Sequence, residues 1–152
     1  MSGTVERIFV TDEGGEPMRR VEEIEATEGG LRGDRYLKGT GYYSPTDVCE
    51  VTLIAAEGLD SLEAEGIAVG DGQHRRNLVV RGVDLNALRG QRFTVGEVEL
   101  VYDRPRPPCS YIERLTQKGM LRGLARHGGG ICARVAVVGT IRTGDTLATQ
   151  RT

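Results

Sequence analysis

Gly96-Glu97-Val98-Glu99-Leu100-Val101-Tyr102-Asp103 decides the fold class of this chain. Val98, Leu100 and Tyr102 face one way and Glu97, Glu99 and Asp103 the other, the two-residue period of a half-buried β-strand. Working outward, the same chemistry recurs. Val5 to Val10 is a β-branched and aromatic run closed by turn residues from Asp12 to Pro17. From Glu22, alternation sets Glu22, Ile24 and Ala26 on one face and Val21, Glu23 and Glu25 on the other. Val51 to Ile54 is a short apolar strand. Ile131, Ala133, Val135 and Val137 share a face, and Gly139 to Asp145 reads as a turn holding a brief strand.

Helical signals are fewer. Ala55 to Gly66 carries Leu59 and Leu62 three residues apart, with Gly66 as its stop. After Pro107-Pro108, Ser110-Tyr111-Ile112-Glu113 has capping-box form, with Ile112 and Leu115 as an apolar stripe. A third piece, Met120 to Ala125, runs into His127-Gly128-Gly129-Gly130. With 22 glycines in 152 residues, about twice the usual ~7%, turns are plentiful. The pattern predicts a mainly β chain with a few short helices, closed or partly closed as a β-barrel, in a single domain over residues 1–152.

Charge excludes several partners. Lys and Arg total 20 against 22 Asp and Glu, a net charge of −2, and the aromatics are five Tyr and two Phe with no Trp. Neither nucleic acid nor a membrane surface is an expected partner. The three cysteines, Cys49, Cys109 and Cys132, are odd in number and irregular in spacing, so neither a disulfide framework nor a zinc pair is expected. Glu6 and Arg7 interrupt any leader-like run, and the expectation is a soluble, cytoplasmic protein with reduced thiols.

Four places carry residues suited to chemistry. Cys109 follows two prolines and precedes a helix start, where unpaired N–H groups favour a thiolate able to attack, carry sulfur or bind a soft metal. A small residue packed under a helix start fits the same letters. Arg75-Arg76-Asn77 leads into Leu78-Val79-Val80. A strand beginning at Arg75 puts Arg75 and Asn77 on one face as an anion or pterin edge, while a solvated strand entry is the plain alternative. Gly33-Asp34-Arg35, within Gly29 to Gly41, reads as a binding loop or an ordinary surface loop. His127 before three glycines is either part of an anion nest or a cation at a helix C-terminus.

The order of these pieces is more informative than any one of them. Gly33-Asp34-Arg35-Tyr36 with Gly39-Thr40-Gly41 precedes Val51-Thr52-Leu53-Ile54. Then come Arg75-Arg76-Asn77-Leu78-Val79-Val80, Gly82-Val83-Asp84-Leu85-Asn86-Ala87-Leu88 and Phe93-Thr94-Val95-Gly96. Pro108-Cys109, Gly129-Gly130 and Gly139-Thr140-Ile141-Arg142-Thr143-Gly144-Asp145 complete the series. From about Val5 to Leu147 the chain resembles a stand-alone MOSC domain, the module named for the C-terminal part of molybdenum cofactor sulfurases.

That resemblance implies a MOSC-type β-barrel and the molybdenum cofactor. Cys109 becomes the catalytic cysteine and metal ligand. Arg75, Arg76 and Asn77 become cofactor contacts, and Asp34, Arg35, Gly129 and Gly130 the pocket wall. In amidoxime-reducing relatives the matching cysteine ligates molybdenum, which implies reduction of N-hydroxylated or related small-molecule substrates with help from a redox partner protein. In sulfurase-linked relatives the module handles sulfur, which implies a Cys109 persulfide received from a desulfurase. A non-catalytic anion-binding module is the third implied role. Close relatives often read Cys-x-Pro-Cys where this chain has Arg106-Pro107-Pro108-Cys109, so a dithiol is replaced by one thiol beside a cation. Amidoxime-type enzymes carry an extra N-terminal domain that has no counterpart here. All but Lys38 and Lys118 of the basic residues are arginine, and neither lysine has a supporting motif, so no pyridoxal phosphate is expected on this chain. The arginines in or beside the motifs are Arg35, Arg75, Arg76, Arg106 and Arg134.

Overall fold

Apolar alternation on one face of each strand can be buried without leaving a sheet edge if the sheet closes on itself. The computed structural model, which describes residues 2–39 and 49–149, does this. Its strands are β1 (Ser2–Val10), β2 (Arg19–Val21), β3 (Glu23–Thr27), β4 (Gly30–Leu31), β5 (Val51–Ala55), β6 (Leu78–Arg81), β7 (Arg92–Val95), β8 (Val98–Pro105), β9 (Ile131–Val137), β10 (Gly139–Arg142) and β11 (Thr146–Thr149). The helices are α1 (Arg35–Lys38), α2 (Ala56–Ala64), α3 (Ser110–Leu115) and α4 (Met120–His127), with a 3₁₀ turn over Leu85–Leu88.

The strands run in the order β11-β7-β8-β9-β5-β6-β1, and β11 pairs with β1 to close a seven-stranded barrel, with β2 added on β1. Neighbours are antiparallel except β5 and β6, which pair in parallel. A parallel pair needs a crossover, and α2 supplies it. A separate small sheet, β10-β3-β4, lies beside the barrel.

Val98, Leu100 and Tyr102 are buried, as their alternation requires, and join Val5, Leu53, Leu78, Phe93 and Ile131 inside the barrel. A second core packs α2 and α4 on the outer wall, with Phe9, Ile54 and Val79 from the strands meeting Leu59, Leu62, Met120 and Leu124. Gly123 allows that approach, since a Cβ there would collide with the Leu62 side chain. Among the described residues no helix is long and apolar enough to cross a membrane.

Four local expectations are corrected. The alternating residues Val21 to Ala26 fall in two strands broken at Glu22, one pairing with β1 and the other with β10. The capping box does not form: Cys109 is the N-cap of α3 and makes no side-chain cap bond, while Ser110 is already helical. Glu113 Oε1 instead accepts from the backbone N–H of Gly119 at 3.2 Å and of Leu121 at 3.0 Å. No strand begins at Arg75: β6 starts at Leu78, Arg75 holds φ +64°, and Arg75, Arg76 and Asn77 are buried rather than solvated. Finally, Cys49 and Cys132, 83 positions apart in sequence, form a disulfide with Cα atoms 5.8 Å apart. Linear spacing hides this proximity, which comes from β9 pairing with β5 so that Cys132 lies opposite Thr52. Both sulfurs lie in the core.

Candidate functional site

The site is built where chain direction is fixed by proline and by buried hydrogen bonds. Pro107 and Pro108 hold the backbone extended, and Cys109 ends that stretch at φ −132°, ψ 170° before α3 begins. Arg106 N donates to Gly130 O at 2.8 Å, tying the segment to the glycine run after α4. Gly129 and Gly130 are needed for that contact. A Cβ on Gly129 would sit 2.6 Å from Pro108 Cδ and 2.8 Å from Arg106 O, and one on Gly130 would collide with Leu53 O.

Arg76, only 5% exposed, locks this segment from below. Its Nε donates to Gly129 O at 2.6 Å and its Nη2 to Arg106 O at 3.1 Å. Burial pushes this guanidinium down to about 10, with Arg106 and Arg35 acting the same way and Tyr36 and Cys109 opposing, so it stays charged at neutral pH. Its backbone N–H donates to His74 Nδ1 at 3.0 Å. His74 is fully buried. Burial first, then Arg76, Arg7 and Arg75, lowers it to about 3, so the imidazole is neutral and Nε2 carries the proton.

Arg75, between them, is 8% exposed and adopts the left-handed backbone that L-residues avoid at a cost of about 1–2 kcal/mol. Its guanidinium and that of Arg76 bind different segments. Nη1 donates to Glu16 O at 2.7 Å, while Nη2 is buried with no hydrogen-bond partner. Burial and the nearby Arg35 charge lower its pKa.

Asp34 caps α1 and places Arg35 and Tyr36 in that helix's first turn. Arg35 Nη1 lies 3.3 Å from Asp34 Oδ1, and its Nη2 donates to Arg75 O at 3.0 Å and to the Tyr36 hydroxyl at 3.2 Å. Arg106 Nη2 donates to the same hydroxyl at 3.0 Å.

These residues line one cavity of about 410 Å³, walled by Arg35, Tyr36, Arg75, Arg76, Arg104, Arg106, Pro107, Pro108, Cys109 and Tyr111 among others. Five guanidinium-bearing residues face it, and no carboxylate does among the described residues. Its chemistry suits an anion held beside a thiol.

The sequence-derived candidates therefore separate. Cys109, Arg35, Arg75 and Arg76 share the cavity. Asn77 lies beneath it, fully buried: Oδ1 accepts from Thr52 N and Oγ1 at 3.0 Å each, and Nδ2 donates to Phe9 O at 3.0 Å. Asp34 is equally buried and accepts from Thr11 N at 3.2 Å. Gly129 and Gly130 line a neighbouring cavity on the far side of the Pro105–Pro108 wall. Arg134 is exposed on β9, and Thr40 and Gly41 fall outside the described residues. His127 ends α4, and its Nε2 lies 2.7 Å from Glu65 Oε2, so the ring is engaged by a carboxylate at the helix C-terminus rather than by an anion nest.

Sequence reasoning passed over Tyr36, Arg104 and Tyr111 as site residues. Tyr36 stood within the Gly-Asp-Arg-Tyr motif, but no spacing rule tells an aromatic that lines a site from one that packs a core. Cys109 is the cysteine outside the disulfide. Among the described residues no three His, Cys, Asp or Glu side chains gather as a metal cage, so Cys109 would be the protein's single soft ligand to a metal whose other ligands come from a cofactor.

Comparison with known proteins agrees with the barrel. A family model described as MOSC domain matches residues 43–148, a span that includes Arg75, Arg76, Cys109 and Gly129-Gly130 and leaves out Asp34 to Tyr36. No curated protein sequence matches the chain. Among solved structures, the YuaD protein from Bacillus subtilis is 20% identical with a TM-score of 0.75, covering 97% of this chain and 94% of that one. YiiM from Geobacillus stearothermophilus is 17% identical with a TM-score of 0.70, covering 98% and 75%. YiiM from Escherichia coli is 20% identical with a TM-score of 0.64, covering 96% and 70%.

Proposed function

This chain belongs to the MOSC domain family, which is associated with molybdenum cofactor proteins, and we propose that it binds that cofactor with the Cys109 thiolate as molybdenum ligand. The observation that carries the reading is the cavity in which one thiol shares a wall with five arginines and no described carboxylate. The cofactor's pterin ends in a phosphate, and a donor-only lining suits it. The orphaned Nη2 of Arg75 is a buried donor that such an anion would satisfy.

When bound, the cofactor supplies a two-electron metal centre of the kind that reduction of N-hydroxylated small molecules requires. The chain's own residues do the rest. Arg75, through its unpartnered Nη2, would hold the phosphate, with the Arg35 charge beside it. Arg76 fixes the Arg106 and Gly129 carbonyls and so sets where Cys109 stands. Cys109 lines the cavity wall and presents its thiol there as the metal ligand. Electrons come from a redox partner protein.

The test is expression with molybdate in a host that makes the cofactor, followed by assay of metal and pterin on the purified chain. Retention of both by wild type and loss of pterin in Arg75→Ala support the reading. A wild-type chain that carries neither overturns it.

One observation favours a second reading. The same cations that suit a metal-bound thiolate suit an anionic persulfide on Cys109, with sulfur delivered by a desulfurase. Intact mass after incubation with a desulfurase and cysteine separates the two: one added sulfur in wild type and none in Cys109→Ser supports relay, and no added sulfur excludes it.

A further inference from the structure

Tyr36 stands at the centre of the arginine cluster. Its ring lies under the Arg35 guanidinium, 4.3 Å from Cζ to the ring centroid, and 5.5 Å from that of Arg106. Its oxygen accepts one N–H from each of these residues, at 3.2 Å and 3.0 Å. A phenol has one proton to give and two lone pairs with which to accept. Both lone pairs are taken, and the O–H donates to no described group. The proton must therefore point away from both guanidiniums. Tyr36 is half-buried and lines the cavity, so the open direction is the cavity itself.

A second observation points to the same ligand. Arg75 lines the cavity, is more than nine-tenths buried, and keeps Nη2 without a partner. The charged and polar side chains around the cavity are thus guanidiniums, phenols and a thiol, with no carboxylate among the described residues. The side of the cavity formed by Tyr36, Arg35 and Arg75 offers protons and, among the described residues, presents no carboxylate to accept one. It matches an oxyanion whose every oxygen is an acceptor, and mismatches one that still carries an acidic hydrogen.

We propose that Tyr36 is a ligand-binding residue that donates its phenolic hydrogen bond to a fully deprotonated oxyanion, and that the site discriminates against protonated oxyanions. Arg35 and Arg106 act on the ligand partly through Tyr36, by fixing the direction in which its hydroxyl donates. The inference deepens the cofactor reading, because a phosphate monoester dianion has this chemistry, but a free oxyanion such as molybdate has it too. Neither case requires a metal on Cys109.

The experiment is titration calorimetry of the full chain with sulfate, molybdate, methyl phosphate and inorganic phosphate. It uses wild type and Tyr36→Phe, which keeps the ring stacked on the guanidiniums and removes the hydroxyl. At pH 7.5 wild type binds sulfate or molybdate more tightly than inorganic phosphate, which retains a proton. Tyr36→Phe weakens the bound oxyanion by roughly tenfold or more, the size of a hydrogen bond to a charged group, in a chain whose circular-dichroism spectrum remains that of the folded barrel. If methyl phosphate binds, its affinity falls as pH drops through its second pKa of ~6; that result assigns the site to an esterified phosphate. Binding of molybdate and sulfate without methyl phosphate assigns it to a free oxyanion. Either supports the role of Tyr36. Equal affinities in wild type and Tyr36→Phe, equal binding of sulfate and inorganic phosphate, or no binding by wild type would overturn it. Should Tyr36→Phe fail to fold, the tyrosine ultraviolet difference spectrum of Tyr111→Phe, which leaves Tyr36 as the described tyrosine of the cavity, decides: a red shift on saturation with sulfate is expected, and a flat spectrum contradicts the proposal. The outcome is separable from the cofactor reading, since failure of metal retention leaves the Tyr36 result standing and failure at Tyr36 leaves metal retention untouched.

Discussion

The Arg76 Nε donates to the backbone carbonyl of Gly129 at 2.6 Å, and the same guanidinium reaches Arg106 O at 3.1 Å. One buried cation thereby joins the glycine run after α4 to the strand end before Cys109. Removing it leaves two carbonyls without that donor and opens a void under the thiol. Arg76→Ala is expected to cost about 2–4 kcal/mol in chemical denaturation. Arg76→Lys retains the charge but has no planar fork to span both oxygens, and should recover only part of the loss.

Gly129 makes the complementary prediction. A Cβ there meets Pro108 Cδ at 2.6 Å and Arg106 O at 2.8 Å, neither of which is the end of a flexible side chain. Gly129→Ala should therefore displace Pro108-Cys109 and lower stability by roughly 1–3 kcal/mol, the range for overpacking. Its reading is the reaction rate of Cys109 with a thiol reagent under native conditions, which should change relative to wild type. Gly66→Ala serves as a control, because nothing lies within 4 Å of a Cβ there and its cost is backbone strain alone.

The Cys49–Cys132 disulfide closes a span of 83 residues. Loop-closure entropy for that length gives about 4–5 kcal/mol of stabilisation through the unfolded state. Urea titration of the native chain with and without a reductant should show a midpoint shift of that sign. Cys49→Ser with Cys132→Ser should show the same shift and no further response to reductant.

His74 sets an acid limit. Burial holds its folded-state pKa at about 3, against 6.5 unfolded, so the unfolded chain binds the proton first. The stability contributed by the neutral imidazole is complete above pH 6.5 and is lost as pH falls from there towards 3. The loss is on the order of a few kcal/mol. Stability measured from pH 7 to pH 4 should fall less steeply in His74→Asn than in wild type, whatever the offset at pH 7.

Much of the barrel was legible because alternation is local. Val98-Glu99-Leu100-Val101-Tyr102 announces its own two faces, and those faces are found as read. What escaped were contacts set by pairing across the sheet. Cys49 meets Cys132 only because β5 and β9 are neighbours, a fact absent from either segment alone. The Arg75–Asn77 stretch was misread as strand because a strand was extrapolated backwards into a turn whose left-handed Arg75 no side-chain pattern reveals. Cys109, Arg35, Arg75 and Arg76 do share a cavity. Asn77 and Asp34 carry the right chemistry for a ligand but spend it on Thr52, Phe9 and Thr11, which support the cavity from beneath.

Metal retention by Cys109→Ala tests the central claim most directly. Wild type and variant are expressed side by side with molybdate in a cofactor-making host, purified identically and assayed for molybdenum per chain. The account predicts metal on wild type and its loss from the variant, with the melting temperature of the barrel unchanged. Equal molybdenum in the two proteins would contradict Cys109 as the ligand.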